Sequence, residues 1–194
     1  MRSIVRHGPL LFLVQIGLIG TAAAQEPFSR VGAELGATFN MNRNGFHDYW
    51  KSGRGGGVTL TTPFYWGTLE MGATVHRYHA KADVTEFGVV WAYTGVRKGW
   101  QLAEAVSVQP GIRLGMYRMS FDDAETSFYG VATESDLTLS SGAVVRYELK
   151  EYLLAIVRVD FVRVHTRPLL HYWYLSGGIA FDLEAGRAWR AFWE

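Results

Sequence analysis

The 194-residue chain is long enough for one domain, and its 19 basic and 18 acidic side chains leave no basic excess of the kind that marks a nucleic-acid binder. It has no cysteine, which excludes disulfides, thiolate metal sites and a lipid anchor on cysteine. Hydrophobic residues make up 48% of the chain and glycine fills 22 positions, yet mean hydropathy is only +0.01, too low for a bundle of membrane helices.

Residues 1–24 read as a separate unit. Arg2 and Arg6 give a positive start, residues 9–20 (PLLFLVQIGLIG) an apolar core, and Ala22-Ala23-Ala24 the small residues of a cleavage site before Gln25. The apolar core is shorter than the roughly 20 residues a spanning helix needs, so the segment reads as a secretory signal peptide and is excluded from the fold. A membrane anchor is the competing reading. Without Arg2 and Arg6 the chain has 17 basic against 18 acidic residues, a formal charge of −1.

Alternation with a period of two dominates the remainder, and eight segments read as strands. The first, residues 29–40, sets Val31, Ala33, Leu35, Ala37 and Phe39 against Arg30, Gly32, Glu34, Gly36, Thr38 and Asn40. A polar loop, 41–54, leads to the second, 55–63, and an aromatic turn (64–67) to the third, 68–79, where Leu69, Met71, Ala73 and Val75 oppose Glu70, Gly72, Thr74 and His76. After a polar break at 80–83, the fourth, 84–96, sets Phe87, Val89, Trp91 and Tyr93 against Glu86, Gly88, Val90, Ala92 and Thr94. A turn over 97–104 precedes the fifth, 105–121, in which Ile112, Leu114 and Met116 oppose Gly111, Arg113, Gly115 and Tyr117, and a bulge is expected at Pro110. The acidic loop 122–134 precedes the sixth, 135–149, with Arg146 and Glu148 on one face. A tight turn at 150–151 leads to the seventh, 152–166, with Arg158 and Asp160. The eighth, 170–183, alternates His171, Trp173, Leu175, Gly177, Ile179, Phe181 and Leu183 with Tyr172, Tyr174, Ser176, Gly178, Ala180 and Asp182.

An even number of antiparallel strands closes without an edge, and most of these segments reach the 9–11 residues a tilted membrane strand needs. The expected fold is therefore all-β, an eight-stranded antiparallel up-and-down transmembrane barrel over residues 25–183, with a short C-terminal extension at 184–194. The longest connections, 41–54 and 122–134, fall at one end and the tight turns at the other. The register read as inward collects the charges Glu34, Glu70, Glu86, Arg113, Arg146, Glu148, Arg158 and Asp160, together with many glycines. Ions buried in so narrow a barrel must pair, which leaves no wide water-filled pore. Arg77, Arg118 and Arg163 fall in the apolar register near the loop end, within snorkelling reach of water. A soluble lipocalin-like periplasmic binding barrel is a second alternative, with the opposite pattern of apolar inside and polar outside.

Other chemistry is weakly marked. His47, His76, His79, His165 and His171 gather toward the loop end but span both faces, so they form no complete metal or hydrolytic constellation. Residues 53–57 (GRGGG) lack the Lys-Ser/Thr and helix of a phosphate loop and read as the flexible base of strand two. Tyr49, Trp50, Phe64, Tyr65, Trp66, Trp91, Tyr93, Trp100, Tyr172 and Trp173 read as an interfacial girdle rather than a sugar-stacking surface.

In signal peptide, strand count and alternation, the chain resembles the small eight-stranded outer-membrane barrels, the superfamily of the OmpA transmembrane domain, OmpX and the Opa-like adhesins. A more specific match lies in residues 176–183 (SGGIAFDL). Ser176, Gly178, Phe181 and Leu183 fit the order of the superfamily's last-strand assembly signal. The superfamily usually ends on an aromatic, whereas here residues 184–194 (EAGRAWRAFWE) continue. The resemblance implies a bacterial outer-membrane protein, monomeric, in contact with outer-membrane lipids and lipopolysaccharide and dependent on the outer-membrane assembly machinery. It implies a structural or surface-interaction role, without cofactor, metal, catalytic residues or nucleic-acid partner. Some such barrels remove or transfer acyl chains of lipid A, and a lipid A-modifying acyl hydrolase or transferase is the alternative role. The resemblance would place that histidine at His165, but Arg167 stands where the serine should follow.

Overall fold

The computed structural model describes residues 26–41, 46–81, 84–123, 132–166 and 169–186. The expected signal peptide and most of the C-terminal extension lie outside these residues. In chain order the elements are β1 (Arg30–Asn40), α1 (Phe46–Tyr49), β2 (Trp50–Phe64), β3 (Gly67–Ala80), β4 (Phe87–Arg97), β5 (Trp100–Ala103), β6 (Val106–Phe121), β7 (Thr133–Lys150), β8 (Leu153–Val164) and β9 (Leu170–Glu184). Each strand pairs antiparallel with its neighbour. The β4–β6 and β1–β9 ladders, the latter running from Arg30↔Glu184 to Asn40↔Tyr174, close the sheet on itself. The short β5 continues the line of β4 along β6, so the wall has eight staves, an up-and-down barrel as the alternation predicts.

Three boundaries differ from the expectation. The strand expected at 55–63 begins at Trp50, because residues 50–52 pair with β3 ahead of an irregularity between Ser52 and Gly55; Gly53 and Arg54, expected in the loop, lie within the strand at that irregularity. The turn expected over 97–104 is mostly wall, since Trp100 and Gln101 pair with Val108 and Ser107. No register shift occurs at Pro110. Lys98 donates to its carbonyl (2.9 Å), and Pro110 has no N–H to return the bond. The ladder therefore lapses on the opposite strand at Lys98–Gly99, which is what separates β4 from β5.

The pairing fixes the stagger of the wall. From Gly32, successive cross-strand partners are Thr61, Glu70, Gly95, Arg113, Ser140, Val162 and Tyr172. Tyr172 lies two residues beyond Tyr174, the partner of Asn40, so one circuit climbs about ten residues along β1. Such a tilted, narrow barrel holds side chains rather than a channel.

Burial alternates as the registers require. Leu35, Leu60, Met71, Val75, Ile112, Leu114, Met116, Leu139, Val157 and Ile179 all point outward and are exposed, Ile112 by 59%. That polarity is the reverse of a lipocalin-like barrel. β4 corrects the expected facing. Phe87, Val89, Trp91 and Tyr93 point inward and are buried, while Gly88, Val90, Ala92 and Thr94 point outward. Both registers of this strand are apolar, so hydropathy does not choose between them. Arg97 does, because it shares parity with Phe87 and is 1% exposed; to bury it, the strand must turn its aromatics inward.

The closing seam between β1 and β9 is tight. Gly178 faces Gly36, and a Cβ on Gly178 would lie 2.6 Å from the Gly36 Cα and closer still to the Leu35 carbonyl. Gly177, on the outer face, has nothing within 4 Å of such a Cβ. Gly178→Ala is therefore expected to destabilise the folded barrel by about 1–3 kcal/mol. Gly177→Ala should stay within about 0.5 kcal/mol of the parent. Urea unfolding in lipid vesicles measures both, and equal midpoints for the two variants would contradict this account of the seam.

Candidate functional site

The interior is built in three tiers. At the centre, charged side chains from β1, β3, β4, β6 and β8 converge. Glu34 (β1) meets Arg97 (β4) at 2.8 Å and Arg158 (β8) at 2.6 Å. Glu70 (β3) meets Arg113 (β6) at 2.6 Å, Arg97 at 3.2 Å and Arg158 at 3.4 Å. Arg113 also pairs with Asp160, which lies on β8 two residues beyond Arg158 and on the same face. Three guanidinium groups thus balance three carboxylates, all nearly or wholly shielded from solvent. An uncompensated ion here would cost several kcal/mol.

Neutral groups complete the network. Arg158 Nη1 donates to the Tyr93 hydroxyl (2.7 Å), which lies 2.7 Å from Thr59 Oγ1. The Tyr93 ring lies 5.7 Å from the Arg113 guanidinium carbon, a cation–π contact. Two glycines make room for the arginine stems: a Cβ on Gly95 would stand 2.7 Å from Arg113 Cγ, and one on Gly111 the same distance from Arg97 Cγ.

Nearer the turn end, Arg146 Nη2 donates to both carboxylate oxygens of Asp182 (2.9 and 2.8 Å). It borders a polar vestibule of about 310 Å³, also lined by Arg30, Thr61 and Gln109. Toward the loop end the lumen is filled by rings. Tyr78, Tyr117, Tyr172 and Tyr174 are at most 1% exposed. The Tyr174 hydroxyl lies 3.0 Å from that of Tyr78 and 3.2 Å from that of Tyr117. His76 stacks on Tyr174 (4.7 Å), and Trp91 donates to Thr138 (3.0 Å).

Of the charges expected inside, the structure brings Glu34, Glu70, Arg113, Arg158 and Asp160 together and sets Arg146 beside them in the lower tier. Glu86 does not join them. It precedes β4 in the outward register and pairs with Arg77 (3.5 Å) and His79 (3.1 Å) at the loop-end rim, a consequence of the reversed facing of β4. Glu148 is exposed at the turn end of β7 and takes part in none of the ion pairs among the described residues. Alternation misses Arg97, because Lys98 and Gly99 make that stretch read as a turn. It places Asp182 in the inward register without showing that Arg146 is its partner.

In the last strand, Ser176 donates to Thr38 (3.0 Å) and Gly178 sits on the closing seam, while Phe181 and Leu183 face outward opposite Ala33 and Val31. Of the expected aromatic girdle, Trp50, Trp91, Tyr93 and Tyr172 are inside, whereas Tyr65, Trp66 and Trp173 are exposed.

The histidines do not converge. His76 is in the lumen, His79 on the outer rim, and His165 Nδ1 lies 3.2 Å from the Leu137 carbonyl rather than against a serine hydroxyl. Among the described residues no group of three or more His, Cys, Asp or Glu is placed to hold a metal ion.

No family model matches the chain, and no curated protein matches it. Solved structures do. Neisserial surface protein A superposes with a TM-score of 0.60 at 12% identity, covering 83% of this chain and all of that one. The fold is that of the small eight-stranded outer-membrane barrels. A major outer membrane protein of Thermus thermophilus gives 0.56 at 15% identity over 79% of this chain and 99% of its own. The attachment invasion locus protein of Yersinia pestis, in complex with the heparin analogue sucrose octasulfate, gives 0.52 at 10% identity over 82% of this chain and all of its own.

Removing one member of the central network leaves its partners uncompensated. Glu70→Gln is expected to lower stability by about 3–5 kcal/mol. Glu86→Gln, at the exposed rim, should change it by less than about 1 kcal/mol. The comparison is read from unfolding midpoints of the refolded barrels.

Proposed function

We propose that this protein is an outer-membrane β-barrel of a diderm bacterium, structural or surface-interacting in role and closed to bulk transport. The observation that carries the reading is the polarity of the wall, with an apolar exposed exterior around a charge-balanced, ring-plugged interior. Only a lipid surround makes that exterior favourable, since contiguous apolar surface of this extent is not left in water. The tilted, edgeless sheet satisfies its own backbone groups, as a bilayer requires. Outer-membrane lipids and lipopolysaccharide are then the surrounding partners.

The assembly machinery would read Ser176, Gly178, Phe181 and Leu183 on the last strand. Residues 1–24 serve as the export signal in this reading, and the segment after the barrel faces the periplasm. The connections at the loop end face outward and carry any contact with other molecules at the surface.

The mature chain should fractionate with outer membranes and migrate faster on gels unheated than boiled; a protein fully soluble without detergent would contradict the barrel. In planar bilayers it should give no stable current, and a reproducible conductance would contradict the plugged lumen. Shortening the 41–49 or 122–132 connection should abolish surface binding while leaving heat-modifiable migration intact.

A further inference from the structure

The outward register carries a second pattern that the barrel alone does not require. On β6–β9 it holds no carboxylate at all, and toward the loop end it carries Arg118, Arg163 and His171, all exposed. Arg163 sits directly across from His171 on β9 and from Leu139 on β7. Arg118 sits across from Ser135 on β7 and Val90 on β4.

The wall climbs little more than one residue per strand, about ten over the circuit. Corrected for that climb, the level of Arg118 crosses β8 beside Val164 and β9 beside His171. Arg118, Arg163 and His171 therefore form a row at one height, at the upper margin of the apolar band.

Immediately below this row lies an aromatic shelf. Phe161 and Trp173 face outward with ring centroids 5.1 Å apart, and Phe161 lies 6.1 Å from the His171 ring. Below the shelf come Val157, Leu175 and Ile179, which are aliphatic. Two staves from Arg118 on its β4 side, Arg77 is matched by Glu86 and by Asp122, which follows the last residue of β6. Arg118 and Arg163 have no ion-pair or hydrogen-bond partner among the described side chains.

Unpaired guanidinium groups at headgroup depth call for an anion, and the planar donor fork of arginine fits phosphate in a two-pronged mode. A ring shelf beneath suits the apolar face of a sugar, with acyl chains continuing down the aliphatic band. We propose that the β6–β9 face, through Arg118, Arg163 and His171 above Phe161 and Trp173, docks the phosphorylated saccharide end of an outer-leaflet glycolipid. The proposal rests on the outer-membrane reading and specifies where on the barrel such a lipid sits.

The test uses the mature chain refolded in zwitterionic micelles, its folded state first scored by heat-modifiable migration. Failure to form that detergent-resistant barrel would sink the outer-membrane reading itself. With the barrel in hand, bisphosphorylated lipid A, phosphatase-treated lipid A and phosphatidylglycerol are titrated separately, with the unfolding temperature as readout.

The parent should be stabilised by bisphosphorylated lipid A at concentrations at least about tenfold lower than by either other lipid. The double variant Arg118→Gln/Arg163→Gln should lose that preference, whereas Arg77→Gln should retain it. Trp173→Ala should weaken lipid A binding without changing the response to phosphatidylglycerol. Equal response of the parent to phosphatidylglycerol, or an undiminished preference in the double variant, would overturn the proposal.

Discussion

Closure of β9 on β1 is the constraint from which the rest of the structure follows. In a bilayer no water satisfies an exposed strand edge, so the sheet must end where it began. With eight staves and a stagger of about ten residues, the enclosed space is narrow. Every inward side chain then either fits its neighbours or strains the wall. Gly36 and Gly178 meet on the closing seam, where Gly178 has no room for a Cβ and Gly36 only a tight fit, and Gly95 and Gly111 yield their inward volume to the stems of Arg113 and Arg97.

Within that space, charge balance does what an apolar core does in a soluble domain. Glu34 and Glu70 each bridge more than one arginine, so β1, β3, β4, β6 and β8 are tied across the lumen rather than only along the ladders. The tyrosine tier above supplies bulk and hydroxyl contacts where the staves approach the loops. The two tiers divide the labour. The ions fix which strands face one another through the middle, and the rings close the loop-side mouth. The polar vestibule beside Arg146 and Asp182 leaves room for water at the other mouth.

Much of this is legible from alternation, because a lipid-facing strand and its lumen-facing register differ sharply in polarity wherever a charge sits mid-strand. Glu34, Glu70, Arg113, Arg158 and Asp160 declare their side in that way. Legibility fails where both registers are apolar. On β4 the ring-rich face resembles a membrane face, although it packs against Tyr174 and Phe121 inside the barrel. Arg97 holds the deciding parity but reads as a turn residue, since Lys98 and Gly99 follow it and Pro110 interrupts the ladder opposite. The strand at Trp50–Arg54 is hidden because Gly53 and the glycines that follow it resemble a loop, whereas Gly53 lies against the Arg77 backbone and Gly55 against the His76 ring. Which carboxylate meets which arginine depends on the stagger, which no single strand's pattern contains.

The central claim is that the apolar register meets lipid while the charged register is enclosed. The absence of cysteine permits a direct measurement: single cysteines at Val58, Met71, Ala92, Ile112 and Val157, each spin-labelled in the barrel reconstituted into vesicles. Collision with dissolved oxygen, which concentrates in lipid, is compared with collision with a water-soluble nickel chelate. The account predicts high oxygen and low chelate accessibility at all five positions, including Ala92 on the reversed β4. Chelate accessibility equal to that of a label at exposed Glu148 would contradict it.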